Sequence, residues 1–108
     1  MKPFNKEEYN KLCAELLGLH RSDKVAIYKM TAYPYDFLRF DFDWNWIMEV
    51  VEKIESLGFM FNIFQQDALI EKDNKFIVVT HAIKVKTKKE AVVQAIWEFL
   101  QWYNNQKS

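Results

Sequence analysis

The segment between residues 33 and 46 combines aromatic rings with carboxylates and a guanidinium. It reads Tyr-Pro-Tyr-Asp-Phe-Leu-Arg-Phe-Asp-Phe-Asp-Trp-Asn-Trp, with seven aromatic residues, three aspartates and one arginine. Flat rings can sandwich a purine, carboxylates can accept hydrogen bonds from ribose hydroxyls, and a guanidinium can bind phosphate through two parallel hydrogen bonds. These types predict a site for a nucleotide-type small molecule at Tyr33, Tyr35, Asp36, Arg39, Trp44 and Trp46.

The same segment also has an architectural interpretation. Aromatic stripes in small domains commonly pack in the core, and aspartates commonly cap helices. The rings would then form a core strand and the start of a helix, with the acids as caps. The sequence leaves both interpretations open.

Four lysines lie around a predicted helix start at Thr87: Lys84, Lys86, Lys88 and Lys89. Free backbone N–H groups and the helix dipole favour an anion at such a position. We therefore add Lys86 to the predicted site as a second phosphate partner, beside Arg39. The alternative is an ordinary solvated connection between a strand and a helix.

The residue types do not favour a metal site, a phosphate-binding loop or a catalytic nucleophile. His20 and His81 have no Asp or Glu at metal-ligand spacing, and Cys13 is the only cysteine. Two glycines, Gly18 and Gly58, are too few for a glycine-rich phosphate loop or a nucleophile elbow. We expect no metal, no cofactor and no enzymatic activity.

The overall composition narrows the class of protein further. Lys plus Arg and Asp plus Glu each number 15, which provides no net field to attract nucleic acid or an anionic membrane. The polar start predicts no signal peptide, and no apolar run approaches the roughly 18 residues of a membrane span. With a single cysteine, the chain is expected to be one cytoplasmic domain over residues 1–108.

Capping residues and apolar spacing predict three helices. N-cap side chains are expected at Asn5, at Asp41 or Asp43, and at Thr87, and glycine stops at Gly18 and Gly58. Between the second and third helices, apolar alternation around the Lys72–Lys75 turn predicts an antiparallel meander. The fold class is α+β, with three helices around a small, largely antiparallel sheet and residues 25–30 as a possible extra strand.

The third predicted helix is apolar on more than one side. Val93, Trp97 and Trp102 fall outside its main stripe, so the helix is expected to touch two layers or a second subunit. Because large exposed apolar patches are uncommon on monomers, this surplus predicts a homo-oligomer.

Four pieces of the chain together resemble the phage ABA sandwich domain family. They are residues 12–19, Tyr33-Pro34-Tyr35 with Asp43-Trp44, residues 47–54 with Leu57-Gly58-Phe59, and Thr87-x-x-Glu90-Ala91-Val92 with Ala95. The chain departs from the commoner pattern in Phe40, Phe42 and Trp46 and in an insertion around residues 20–32. The resemblance implies a small accessory viral protein, of a kind that often counters host defence.

Two functions are therefore expected from the sequence. The leading one is a non-enzymatic homo-oligomeric sponge in the host cytoplasm, which sequesters a nucleotide-type immune signal such as a cyclic dinucleotide or an ADP-ribose derivative. The alternative is an inhibitor that covers a host or phage protein through an aromatic-rich surface. The first requires a closed polar-lined cavity, and the second a broad apolar patch with a polar rim.

Overall fold

Three helices and two antiparallel sheets make up the computed structural model, which describes residues 2–65, 67–80 and 87–107. The α+β fold class is confirmed. The helices are α1 (Lys6–Leu16), α2 (Trp44–Ser56) and α3 (Lys88–Lys107). The strands are β1 (Val25–Tyr28), β2 (Thr31–Pro34), β3 (Met60–Phe64), β4 (Asp67–Lys72) and β5 (Lys75–Thr80), and a short 3₁₀ helix covers Tyr35–Phe37.

Each helix begins where a side-chain cap is expected. The cap of α2 is Asp43, so the sequence alternatives Asp41 and Asp43 are now resolved. The side chains of Asn5, Asp43 and Thr87 accept hydrogen bonds from the backbone N–H groups of Glu8 at 2.8 Å, Asn45 at 2.9 Å and Glu90 at 3.1 Å. Gly18 and Gly58 follow the first two helices with φ of +75° and +98°, a backbone region that favours glycine.

The predicted meander is present as the sheet β3-β4-β5. Asp73 and Asn74 form its β4–β5 turn with φ of +54° and +65°, which is the geometry of a tight hairpin. The expected extra strand is present as β1, but it does not join the meander. It pairs with β2 in a separate hairpin, with Lys29 and Met30 at its turn. Side-chain packing explains this, since Tyr28 of β1 stacks on Trp46 of α2 rather than lying beside the meander.

Helix α3 lies between the meander and the other two helices, because it contacts β3, β4 and β5 as well as α1 and α2. Its Phe99 packs against Phe59 at 4.9 Å between ring centroids. Its Trp97 packs against Phe4 at 5.5 Å and donates a hydrogen bond from Nε1 to the carbonyl oxygen of Lys2 at 3.1 Å. The prediction that this helix touches two layers is confirmed within one chain.

This packing removes the argument that led to a homo-oligomer. Val93 and Trp97 are buried in their own chain, and Trp102 packs partly against Phe59 at 5.8 Å. Packing within one chain accounts for the apolar character of Val93 and Trp97, because a helix enclosed by two layers needs apolar residues on several sides. Homo-oligomerisation itself stays a prediction.

Two neighbouring side chains of α1 fasten the aromatic segment to the core. The Tyr9 hydroxyl donates to the carbonyl oxygen of Phe40 at 2.8 Å. Asn10 Nδ2 donates to the carbonyl oxygens of Tyr35 at 2.8 Å and Leu38 at 3.1 Å. Tyr9 and Asn10 are fully buried. We refer to them as the α1 clamp, since they satisfy backbone acceptors that would otherwise be buried without a partner.

Replacing Asn10 by Ala is expected to lower the free energy of unfolding by about 2–3 kcal/mol, because two buried carbonyls lose their donor. Asn10 Oδ1 has no hydrogen-bond partner among the described residues, which limits the loss. Urea unfolding provides the measurement, and Asn104→Ala at an exposed site of α3 is the control, expected within about 0.5 kcal/mol of the parent. Equal stability of the two variants would contradict a role for the clamp.

Burial also governs how the core responds to alkaline pH. The thiol of Cys13 is fully buried, and this burial raises its pKa well above the ordinary value. Burial likewise raises the pKa of the Tyr9 hydroxyl, and the nearby Cys13 raises it further. In the unfolded chain the same groups ionise near their usual values of about 8.5 and 10. The contribution of these two groups to the free energy of unfolding is therefore fully present below about pH 8.5 and is lost as the pH rises above that value.

We expect the free energy of unfolding to fall by about 1.4 kcal/mol per pH unit between roughly pH 9 and 10, because the unfolded Cys13 releases a proton that the folded thiol retains. Urea titrations at several pH values measure this slope. In Cys13→Ala the slope over the same interval is expected to be clearly smaller, and the remaining slope comes from buried tyrosine hydroxyls such as that of Tyr9, which begin to ionise in the unfolded chain. An unchanged slope in that variant would show that other groups cause the alkaline loss.

Candidate interaction surface

Trp46, one of the predicted stacking residues, belongs to the core. Its ring stacks on Tyr28 at 3.7 Å between centroids with an interplanar angle of 16°. The edges of Phe40 at 5.1 Å and Tyr33 at 5.6 Å complete its surroundings. The Tyr28 hydroxyl donates a hydrogen bond to Glu49. Burial raises the pKa of this hydroxyl above the ordinary value, and the hydrogen bond to Glu49 and the charge of Glu49 add to the effect. Aromatic partners from the chain itself therefore occupy the face of Trp46.

Tyr35 is also buried, and its hydroxyl holds the segment that precedes β1. The hydroxyl lies 2.6 Å from His20 Nδ1 and 3.1 Å from the carbonyl oxygen of Val25, and it also contacts the carbonyl oxygen of Ser22. The rings of His20 and Tyr35 are nearly parallel, at 12°. This tyrosine holds three residues of the 20–25 segment through its hydroxyl, so its side chain has a structural role.

The other predicted site residues lie closer to the surface. Asp36 and Arg39 are exposed and Tyr33 is half-buried. Trp44 is exposed at the start of α2, with the ammonium of Lys89 at 5.8 Å from its ring centroid. Lys86 lies outside the described residues. The structure thus places two of the four predicted rings in the core, and the assignment of the remaining residues to a ligand stays a prediction.

A surface that the sequence did not single out lies on the meander. In an antiparallel sheet, directly paired residues point to the same face. Three rows of paired residues therefore share one face of the meander. From β3 through β4 to β5, they are Met60, Glu71 and Phe76; Asn62, Leu69 and Val79; and Phe64 with Asp67. We call these eight residues the outer sheet face. The opposite face contributes buried Phe61, Ala68, Ile70, Val78 and Thr80 to the core beside α3.

The outer sheet face is strongly apolar for a solvent-facing surface. Met60 is 56% exposed, Phe64 58% and Phe76 64%, and Val79 is exposed beside the half-buried Leu69. Three large apolar side chains in register on one small sheet form a patch rather than scattered single residues. Such patches commonly mark interaction sites.

A sequence signal for this surface exists. A half-buried strand alternates apolar and polar residues, whereas β3 reads Met-Phe-Asn-Ile-Phe and β5 carries Phe-Ile-Val-Val. Apolar residues at both parities indicate that both faces of the sheet are apolar.

An open groove of about 650 Å³ lies between β5 and α3. Ile77, Val78 and Trp102 supply its apolar lining, and Glu98 and Gln101 supply polar groups. Among the described residues, its lining contains none of those predicted to bind a nucleotide. In the part of the chain that the structure describes, no three His, Cys, Asp or Glu side chains are grouped as a metal site would require. None of the described helices is long and apolar enough to cross a membrane.

Comparison of the chain with protein-family models, curated proteins and solved structures finds no match. The resemblance to the phage ABA sandwich family therefore stays a prediction.

The two tryptophans at the start of α2, Trp44 and Trp46, are expected to differ in how far their removal lowers the free energy of unfolding. Trp46→Ala removes a ring packed on three aromatic neighbours and is expected to cost about 3–5 kcal/mol. Trp44→Ala removes a partly exposed ring and is the matched control, expected to cost less than about 1 kcal/mol. Urea unfolding measures both, with Trp46→Phe as a milder variant should Trp46→Ala lose a cooperative transition. Similar losses at both positions would contradict the described packing.

Proposed function

We propose that this chain is a non-enzymatic interaction protein that docks on another protein through its outer sheet face. The observation that carries the proposal is the register of Met60, Phe64 and Phe76, three side chains more than half exposed on one face of the sheet. This is the second of the two functions expected from the sequence, with the surface moved from the aromatic segment to the meander.

The energetics of burial support such a role. Fully burying a large apolar side chain contributes about 1.5–3 kcal/mol. Three such side chains at the centre of an interface are the kind of cluster that dominates binding energy, provided a polar rim excludes water around them. Asn62 and Glu71 lie on the same face and provide polar groups beside the apolar ones.

The nucleotide sponge is the second candidate. One observation favours it, the exposed ring of Trp44 with Lys89 beside it, since a stacking ring and a cation suit a base and a phosphate. It ranks lower because Tyr35 and Trp46 are committed to the core. In either case the proposed setting is the cytoplasm of a host cell, and the proposed target of the docking surface is a host or phage protein.

Photo-crosslinking tests the docking surface directly. A photoreactive phenylalanine analogue is placed at Phe64, at Phe76 or at Phe37, a phenylalanine that is 68% exposed in the aromatic segment. In the cells that make the protein, we expect a discrete crosslinked protein from positions 64 and 76 and none from position 37. Phe37 is the control because its exposure and chemistry match while its location differs.

The contradicting outcomes are equally specific. Crosslinks from position 37 alone would return the interaction to the aromatic segment, and their absence at every position would remove the proposed docking surface. Native mass spectrometry of the purified protein addresses the second candidate, since a bound nucleotide would add several hundred daltons that denaturation releases.

A further inference from the structure

The outer sheet face carries a carboxylate between two of its exposed apolar side chains, close to the β4–β5 turn. Glu71 on the central strand β4 is half-buried and pairs across the sheet with Met60 on one side and Phe76 on the other. The structure has two ion pairs among the described residues, Lys2 with Glu8 and Lys6 with Asp41. Glu71 takes part in neither of them. Lys72, its neighbour, has its ammonium at 4.8 Å from the ring centroid of Phe59.

We propose that the partner on this face presents an apolar helix with a lysine or arginine that pairs with Glu71. This inference rests on the proposed docking function and specifies the chemistry of the partner. Covering the patch with a purely apolar surface would bury an uncompensated carboxylate, which is unfavourable. A cation on the partner opposite Glu71 would turn that cost into a pairing that also selects the partner.

The charge argument disfavours a second copy of this chain as the occupant. Two copies joined through this face would bring two Glu71 carboxylates into one layer, and the eight residues of the face include no lysine or arginine. Like charges buried together raise the free energy of the complex. A different protein carrying a cation satisfies the same surface.

The size of the face suits a single helix. The two outer strands of a three-stranded sheet lie about 10 Å apart, close to the diameter of one helix with its side chains. Strands of six residues, such as β4 and β5, extend about 20 Å, which a helix of about 14 residues spans. The inner face is covered in the same way by α3, so a partner helix would complete a second layer.

A pair of matched peptides tests the inference. Both are fluorescein-labelled helical peptides of about 14 residues with a leucine stripe; one carries a lysine in the middle of that stripe and the other a glutamate. Fluorescence anisotropy at physiological salt measures their affinities for the full chain. We expect the lysine peptide to bind at least about tenfold more tightly than the glutamate peptide.

Charge reversal provides the decisive comparison. Glu71→Lys is expected to reverse the preference between the peptides, and Glu71→Gln to reduce it several-fold. Glu52→Lys on the exposed side of α2 makes the same charge change elsewhere and is expected to leave the preference intact. Unchanged melting temperatures confirm that each variant is folded before titration.

Each remaining outcome overturns the inference in a distinguishable way. If both peptides bind the parent equally, and Phe76→Ser weakens both while Phe37→Ser weakens neither, the charge is irrelevant but the docking surface stands. If neither peptide binds, or if sedimentation shows the parent to self-associate through this face, a basic partner helix is excluded. The crosslinking experiment then decides the docking function separately.

Discussion

The α1 clamp is the constraint on which the arrangement of the first half of the chain depends. Tyr9 and Asn10 donate hydrogen bonds to three carbonyl oxygens between residues 35 and 40. That segment has no regular hydrogen-bonding pattern beyond one short 3₁₀ helix, so its buried acceptors need donors from elsewhere. With the segment held in place, Phe40 and Trp46 form a common cluster with Tyr28, and the first hairpin is positioned against α2.

The position of α3 accounts for most of the apolar composition. A helix that touches the meander on one side and two helices on the other must be apolar around most of its circumference. Trp97 packs near Tyr9 of α1 on the helical side, and Phe99 packs against Phe59, the residue before β3, on the other side. Much of the aromatic content that appears excessive for a small domain is thus core, and the exposed remainder is divided between the outer sheet face, with Phe64 and Phe76, and the aromatic segment, with Phe37, Phe42 and Trp44. The proposed docking function follows from the part on the outer sheet face rather than from the total.

Glu71 changes what kind of surface the outer sheet face is. An apolar patch alone does not discriminate between apolar partners, and it also promotes non-specific association. A carboxylate between Met60 and Phe76 penalises apolar partners that lack a cation and penalises a second copy of the chain. The same residue therefore supplies specificity and protection against self-association.

Local patterns in the sequence determined the helices, their caps and the meander, because these depend on short-range hydrogen bonds and on periodicity. Asn5, Asp43 and Thr87 cap as expected, and the turn at Asp73 and Asn74 lies where the polar run predicted it. The roles of aromatic residues were not determined in this way. A ring in a stripe is equally suited to a ligand, a subunit contact or a core, and only tertiary packing decides among them. Trp46 and Tyr35 became core because Tyr28 and His20, distant in sequence, lie against them.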